Sequence, residues 1–105
     1  MNRIYLDNAA TTPVRREVFE AMVPYLTDKF GNPSSIHSYG REARAALDRA
    51  REQVATAIGA APDEIIFTAG GSEADNLAIK GTALAMRGRK SHVIKTAGGH
   101  HAVLH

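Results

Sequence analysis

The amino-acid sequence predicts an α/β fold in which helices flank a partial parallel sheet. Two short β-branched and aromatic runs, residues 64–68 and 91–96, lack polar alternation and are typical of strands covered on both faces. A helical pattern over residues 72–87 separates them, so the unit consists of a strand, a glycine turn, a helix and a strand. Such a unit forms a right-handed parallel crossover. Two strands are fewer than a parallel sheet requires, so the predicted sheet is incomplete.

The composition is that of a globular protein. Of the 105 residues, 44% are hydrophobic and 23% are charged, which excludes the disordered, collagen-like and disulfide-framework classes. The 13 Lys and Arg residues against 11 Asp and Glu leave a formal charge of only +2, so we expect no nucleic-acid partner. The apolar runs are shorter than the roughly 20 residues of a membrane-spanning helix. Asp7 lies where an export signal would be apolar, and Cys is absent, so we expect a cytoplasmic protein without a membrane span.

Two helices are predicted before the first strand. The first covers residues 13–28, with Thr12 as its cap and Pro13 at its first position. Pro24 lies inside this helix and predicts either a kink or a loosely packed surface. The second helix carries an apolar stripe that ends at Ile58, and Gly59 follows as a left-handed stop.

The end of the sequence predicts a turn that enters one more helix. Residues 98–105 contain a glycine pair followed by a short helical pattern. A helix without a cap or a following strand is a poor natural terminus. We therefore expect this chain to be an amino-terminal fragment of a longer protein.

The turn between the first predicted strand and its helix, residues 68–73, carries the strongest local chemical signal. Its two glycines allow close approach of a ligand to the backbone, and free amides at a helix start attract an anion. The Ser72 hydroxyl adds a donor, so a phosphate-bearing ligand is one interpretation and a capped helix without a ligand is the other. Asp75 and Asn76, one turn into the helix, are further candidates to reach a ligand, although the favourable placement of an acid near a helix start explains Asp75 equally well. The lysine of a P-loop and the spacing of a dinucleotide fingerprint are both missing.

Histidines and a polar loop are the remaining candidates. His100 and His101 follow the second predicted strand, at the edge where ligands of open α/β sheets bind; one solvated and one packed imidazole is the alternative. His101 and His105 have a spacing that suits zinc, but no third ligand is evident and we predict no metal site. Residues 7–12 follow a short predicted strand at 4–6 and form either a binding loop or an Asx turn.

Taken together, four blocks of the sequence resemble the amino-terminal part of the cysteine desulfurases of the iron–sulfur cluster type, pyridoxal-phosphate enzymes of the class V aminotransferase family. The blocks follow the order and spacing of that family and cover essentially the whole chain. They are IYLDNAATTP at 4–13, FGNPSSIHSYGREAR at 30–44, EIIFTAGGSEADNLAIKG at 64–81 and HHAVL at 100–104. The implied fold is fold type I, as in aspartate aminotransferase. Residues 1–13 would belong to the small-domain side, and residues 14–105 would begin the cofactor-binding large domain.

The resemblance also implies roles for individual residues. Gly71 and Ser72 would hold the phosphate of pyridoxal 5′-phosphate by a backbone amide and a hydroxyl. His100 would stack on the pyridine ring and, as the catalytic residue, assist proton transfer. Asn8 and Thr11 would lie on the substrate side.

The same resemblance implies the reaction and the partners. Full-length members convert L-cysteine to L-alanine and an enzyme persulfide, and the sulfur passes to an acceptor or an iron–sulfur scaffold protein. They are expected to form homodimers, and residues 31–35 would lie near the dimer-related active site. The Schiff-base lysine, the aspartate at the ring nitrogen and the persulfide cysteine of the family lie beyond the equivalent of His105, so the chain alone is expected to be inactive.

Two positions depart from the family pattern, and two other functions stay open. Ser72 stands where threonine is commoner, and Gly99 stands where a glutamate usually precedes the histidine. One alternative is a related selenocysteine lyase or class V aminotransferase. The other is a noncatalytic binding or interaction module that keeps the phosphate turn.

Overall fold

The structure, a computed structural model, describes residues 2–104, without the side chain of Leu104. Its α-helices are α1 (Arg16–Thr27), α2 (Ser38–Ile58), α3 (Gly71–Ala85) and α4 (His101–Leu104), and a short 3₁₀ helix spans Pro62–Glu64. The chain divides into two compact units, Met1–Glu64 and Ile65–His105. In the first unit α2 packs against the 3₁₀ helix, and in the second α3 packs against α4.

The predicted sheet is wrong for the described part of the chain. None of residues 2–104 takes part in a β-ladder, including the segments 4–6, 64–68 and 91–96 that we predicted as strands, so no parallel crossover forms. A strand exists only with a neighbour about 4.8 Å away that completes its hydrogen bonds, and the described residues supply none. Of the side chains that a covered strand would bury, Ile65 is buried, whereas Ile66 and Ile94 stay in solvent at 66% and 87% exposure.

The second helix agrees with its prediction. Helix α2 ends at Ile58, and Gly59 follows with a left-handed φ of 70° and donates its N–H to the carbonyl oxygens of Ala55 and Thr56. Only glycine adopts this conformation without a steric penalty. Ala43 and Ala55 are buried on the inner face of the helix. The mixed charges on its outer face remain solvated, as the exposed Arg44–Asp48 ion pair illustrates.

The first helix is confirmed, but its predicted cap is wrong. Helix α1 begins at Arg16 rather than Pro13, and its cap residue, Arg15, makes no side-chain cap hydrogen bond. A proline is compatible with a helix start but does not impose one, and the first helical bond here runs from the Phe19 N–H to the Arg15 carbonyl at 3.0 Å. Pro24 lies inside α1, and none of the residues of α1 is buried.

The remaining helices lie close to their predicted positions. Helix α3 begins one residue before the predicted start and ends two before the predicted end. Helix α4 follows the glycine pair, as the end of the sequence predicts. Within residues 2–104, no helix is long and apolar enough to cross a membrane.

Candidate anion-binding turn and histidine pair

The amino terminus of α3 presents a set of unused backbone donors. Gly70 is the cap residue, with fully extended backbone at φ 179° and ψ 177°. Its carbonyl accepts the first helical hydrogen bond from the Ala74 N–H at 3.1 Å. The amides of Gly71, Ser72 and Glu73 precede that bond, and no acceptor for them occurs in the described part of the chain. These three N–H groups and the Ser72 hydroxyl are therefore available to a ligand.

Side chains of the turn hold its backbone in this conformation. The Thr68 hydroxyl donates to the Gly70 carbonyl at 3.0 Å, and the Glu73 carboxylate accepts the Ala69 N–H at 2.9 Å. The Asn76 side-chain amide donates to the Ser72 carbonyl at 2.7 Å. The Asn76 amide is thus used inside the turn, whereas the sequence made it a candidate to reach a ligand.

The donor set of this turn fits a phosphate monoester. Three amide N–H groups and a hydroxyl at the positive end of a 15-residue helix are hydrogen-bond donors without an internal acceptor. A Cβ atom built at Gly70 or Gly71 would meet nothing within 4 Å, so the outer side of the turn is open. The glycines are therefore not needed for packing inside this chain, and the space they leave is accessible to an incoming group.

His100 caps α4 and leaves one ring nitrogen free. Its Nδ1 accepts the Ala102 N–H at 3.1 Å, so the proton of the neutral ring is assigned to Nε2. Both histidines are exposed, and their rings meet edge to face with centroids 6.1 Å apart. The Nε2–H group of His100 can thus donate to a ligand without disturbing the cap. His100 belongs to the same compact unit as Gly71 and Ser72.

The loop after residue 6 folds around one carbonyl group. The Asp7 carbonyl oxygen accepts the N–H groups of Ala10 and Thr11 at 3.0 and 3.3 Å, and it accepts the Tyr5 hydroxyl at 3.0 Å. The Tyr5 hydroxyl also contacts the Thr11 hydroxyl. The loop is therefore a turn built on the main-chain carbonyl of Asp7 and not on its side chain. The sequence analysis assigned no role to Tyr5. The signal that could have found it is a tyrosine hydroxyl two residues before a polar turn.

The predicted site residues fall into two groups. Asn8 and Thr11 belong to the first compact unit, whereas Gly71, Ser72 and His100 belong to the second. Among residues 2–104 no three His, Asp or Glu side chains are grouped to hold a metal ion, and His105, half of the zinc-compatible pair, lies outside the described residues.

The fold and this turn define a class of protein. Residues 4–105 match the family description Aminotransferase class-V, and the chain belongs to that family. A solved structure titled NifS-like protein superposes on 98% of this chain with a TM-score of 0.87 and 42% sequence identity. The class V aminotransferase family uses pyridoxal phosphate in general, and the turn described above carries donors of the kind that a phosphate requires.

The individual relatives that this chain resembles include proteins named cysteine desulfurase IscS. Cysteine desulfurase IscS of Dictyoglomus turgidum is 60% identical over 101 residues, which cover 96% of this chain and 26% of that protein. Cysteine desulfurase IscS of Methanosarcina thermophila is 55% identical over 102 residues, covering 97% of this chain and 25% of that protein. The chain thus spans about a quarter of the length of these relatives, and 28% of the NifS-like protein.

Proposed function

We propose that this chain is the amino-terminal part of a pyridoxal-phosphate-dependent cysteine desulfurase. The complete enzyme would convert L-cysteine to L-alanine and an enzyme persulfide that supplies sulfur for iron–sulfur clusters. The observation that carries the proposal is the open donor set at the start of α3, which offers the amides of Gly71, Ser72 and Glu73 to a phosphate. The names of the relatives at 60% and 55% identity support the choice of substrate.

Within this proposal, Gly71 and Ser72 hold the cofactor phosphate, and His100 lies beside the cofactor ring. When bound, pyridoxal phosphate supplies the electron sink that carbon–sulfur bond cleavage requires. His100 would donate or accept a proton at Nε2, because its Nδ1 is engaged by the Ala102 amide. Ser72 keeps the hydroxyl of the commoner threonine, so its substitution preserves the donor.

The loop at residues 7–12 carries the proposed substrate-side residues. Asn8 and Thr11 would face L-cysteine, and the Tyr5 hydroxyl keeps the Thr11 hydroxyl in place. Residues 1–13 would belong to the small-domain side, and residues 14–105 would begin the large domain. Full-length molecules would form homodimers in the cytoplasm and pass sulfur to an acceptor or scaffold protein. Because this chain contains no Cys, the persulfide would form on a residue outside these 105.

A chimera tests the proposal on an active enzyme. The matching segment of the D. turgidum cysteine desulfurase is replaced by this chain, and formation of alanine from L-cysteine is measured, together with the sulfide that an added thiol reductant releases from the enzyme persulfide. We expect an active chimera whose kcat falls about 100-fold when His100→Ala removes the proton-transfer group, and is unchanged by His92→Ala.

Other substrates separate the alternative functions. Selenocysteine and amino acid–2-oxo acid pairs are offered to the same chimera. A chimera that binds pyridoxal phosphate but releases no alanine from L-cysteine contradicts the proposal. Preference for selenocysteine or for transamination would favour the related enzymes instead.

A further inference from the structure

We infer that Glu73 is a positioning residue that holds the backbone of the phosphate turn ready for its ligand. The inference rests on the proposed function and names a residue to which the family resemblance assigned no role. Glu73 lies third after the cap residue Gly70, and its carboxylate turns back to accept the Ala69 N–H at 2.9 Å. In a capping box, the side chain of the third residue after the cap accepts the N–H of the cap residue itself. Here the Glu73 carboxylate accepts the N–H of Ala69, one residue before the cap.

The turn needs such a restraint because of its composition. Two consecutive glycines have more conformational freedom to lose than any other pair, and no atom lies within 4 Å of the Cβ position of either. Packing therefore does not hold Gly70 and Gly71. Hydrogen bonds on both sides restrain these glycines instead. The Thr68 hydroxyl donates to the Gly70 carbonyl at 3.0 Å, and the Glu73 carboxylate accepts the N–H of Ala69, the residue before Gly70.

The carboxylate has two opposite effects on an anion at this turn. Its hydrogen bond to Ala69 keeps the Gly71 and Ser72 amides in the arrangement that binds phosphate, which favours binding. Its negative charge lies in the same turn as the ligand, which opposes binding. The two effects can be separated by chemistry, because glutamine keeps the acceptor oxygen and removes the charge, whereas alanine removes both.

The experiment follows the amide resonances of the chain during titration with inorganic phosphate. In the unchanged chain, phosphate is expected to shift the Gly71 and Ser72 amides. Glu73→Gln is expected to bind phosphate about threefold more tightly, because like-charge repulsion is lost. Glu73→Ala is expected to bind about fivefold more weakly despite the same loss of charge, because the turn is released. If Glu73 acted through its charge alone, the alanine and glutamine variants would bind phosphate equally tightly, so the difference between them measures the positioning role.

A matched control exists in the first unit. The Glu64 carboxylate accepts the Ala61 N–H at 2.8 Å, which is the same kind of bond at a different turn. Glu64→Ala is expected to leave phosphate binding unchanged. Hydrogen exchange at the Ala69 amide is measured in parallel and should speed up in Glu73→Ala but not in Glu73→Gln.

The outcomes separate the inference from the proposed function. Phosphate affinity of Glu73→Ala equal to that of Glu73→Gln, or unchanged exchange at Ala69 in Glu73→Ala, would overturn the positioning role. Absence of any phosphate shift at Gly71 and Ser72 in the unchanged chain would overturn the proposed cofactor site. In that case the exchange rate at Ala69 still decides whether Glu73 holds the turn.

Discussion

Gly40 lies so close to the carbonyl oxygen of Ser35 that no Cβ atom fits between them. A Cβ built on Gly40 would overlap that oxygen and would also lie 2.8 Å from the Asn32 carbonyl oxygen. Gly40 is buried in the first turn of α2, and the loop before it folds back on itself through the Ser35 N–H bond to the Asn32 carbonyl at 2.9 Å. The loop and the helix start are therefore one packed element, in which glycine is required for space.

Gly40→Ala is expected to destabilise the chain by about 2 kcal/mol. Backbone atoms that meet the new Cβ cannot move aside as a flexible side chain can, so the loop must separate from the helix. Gly70→Ala is the matched control, because its Cβ meets nothing within 4 Å and its φ of 179° is open to any residue. Thermal unfolding followed by far-ultraviolet circular dichroism measures both. Equal unfolding midpoints for the two variants would contradict the predicted collision.

His37→Ala is expected to lower the free energy of unfolding by about 1 kcal/mol. The His37 Nδ1 atom accepts the Gly40 N–H at 3.2 Å and so caps α2. Alanine leaves that amide without its acceptor, whereas His37→Asp supplies a carboxylate oxygen at the same end and should restore most of the stability. Denaturant unfolding of the three proteins gives the comparison. A His37→Asp variant as unstable as His37→Ala would show that the ring has another role, such as its edge contact with Tyr39.

Local patterns predicted the helices well, because the information lies within a few residues. Helix α2 and its stop at Gly59 follow from an apolar stripe and one left-handed glycine. The predicted strands failed for the opposite reason: a run such as residues 91–96 has the composition of a strand, but a ladder depends on a distant neighbour that no local pattern describes.

The local structure of the candidate site could be predicted in part, whereas the ligand roles of its residues stay predictions. A glycine turn with free donors at a helix start follows from helix geometry, and the structure has this arrangement at Gly71 and Ser72. Glu73 lies within both the predicted turn, 68–73, and the predicted helix, 72–87, and no role was predicted for it, although an acidic residue three positions after the cap is a capping signal. The direction of the Asn76 amide, which bonds to the Ser72 carbonyl, depends on a rotamer that sequence does not specify.

Gly99→Glu, which introduces the residue usual in related enzymes, is expected to change stability by less than about 0.5 kcal/mol. A Cβ at Gly99 meets only ordinary contacts, the nearest being the Thr96 carbonyl oxygen at 3.7 Å, and the φ of Gly99 is not positive. Gly59→Ala is the contrasting variant: it should cost about 1 kcal/mol, because the φ of Gly59 is 70°. Both values come from denaturant unfolding. A large loss in Gly99→Glu would mean that the turn before α4 cannot take a side chain.

The apolar stripe of α1 is expected to make the chain associate as its concentration rises. Val18, Met22 and Leu26 repeat every four residues and are 46%, 49% and 70% exposed, so one side of the helix presents unburied hydrocarbon to water. Burying a side chain of this size contributes about 1.5–3 kcal/mol, which is enough to drive association when several are grouped.

Replacing Leu26 with lysine should weaken this association measurably without loss of helix content, because a charged group in the stripe opposes burial. Val14→Lys is the control, because it introduces the same charge outside the stripe. Val14 is 64% exposed and lies before α1. Sedimentation velocity at several concentrations, with helix content followed by circular dichroism, distinguishes the two. If both variants associate as the original chain does, the apolar stripe is not the surface responsible, and the exposed side chains of the second unit, such as Ile94, become the ones to change.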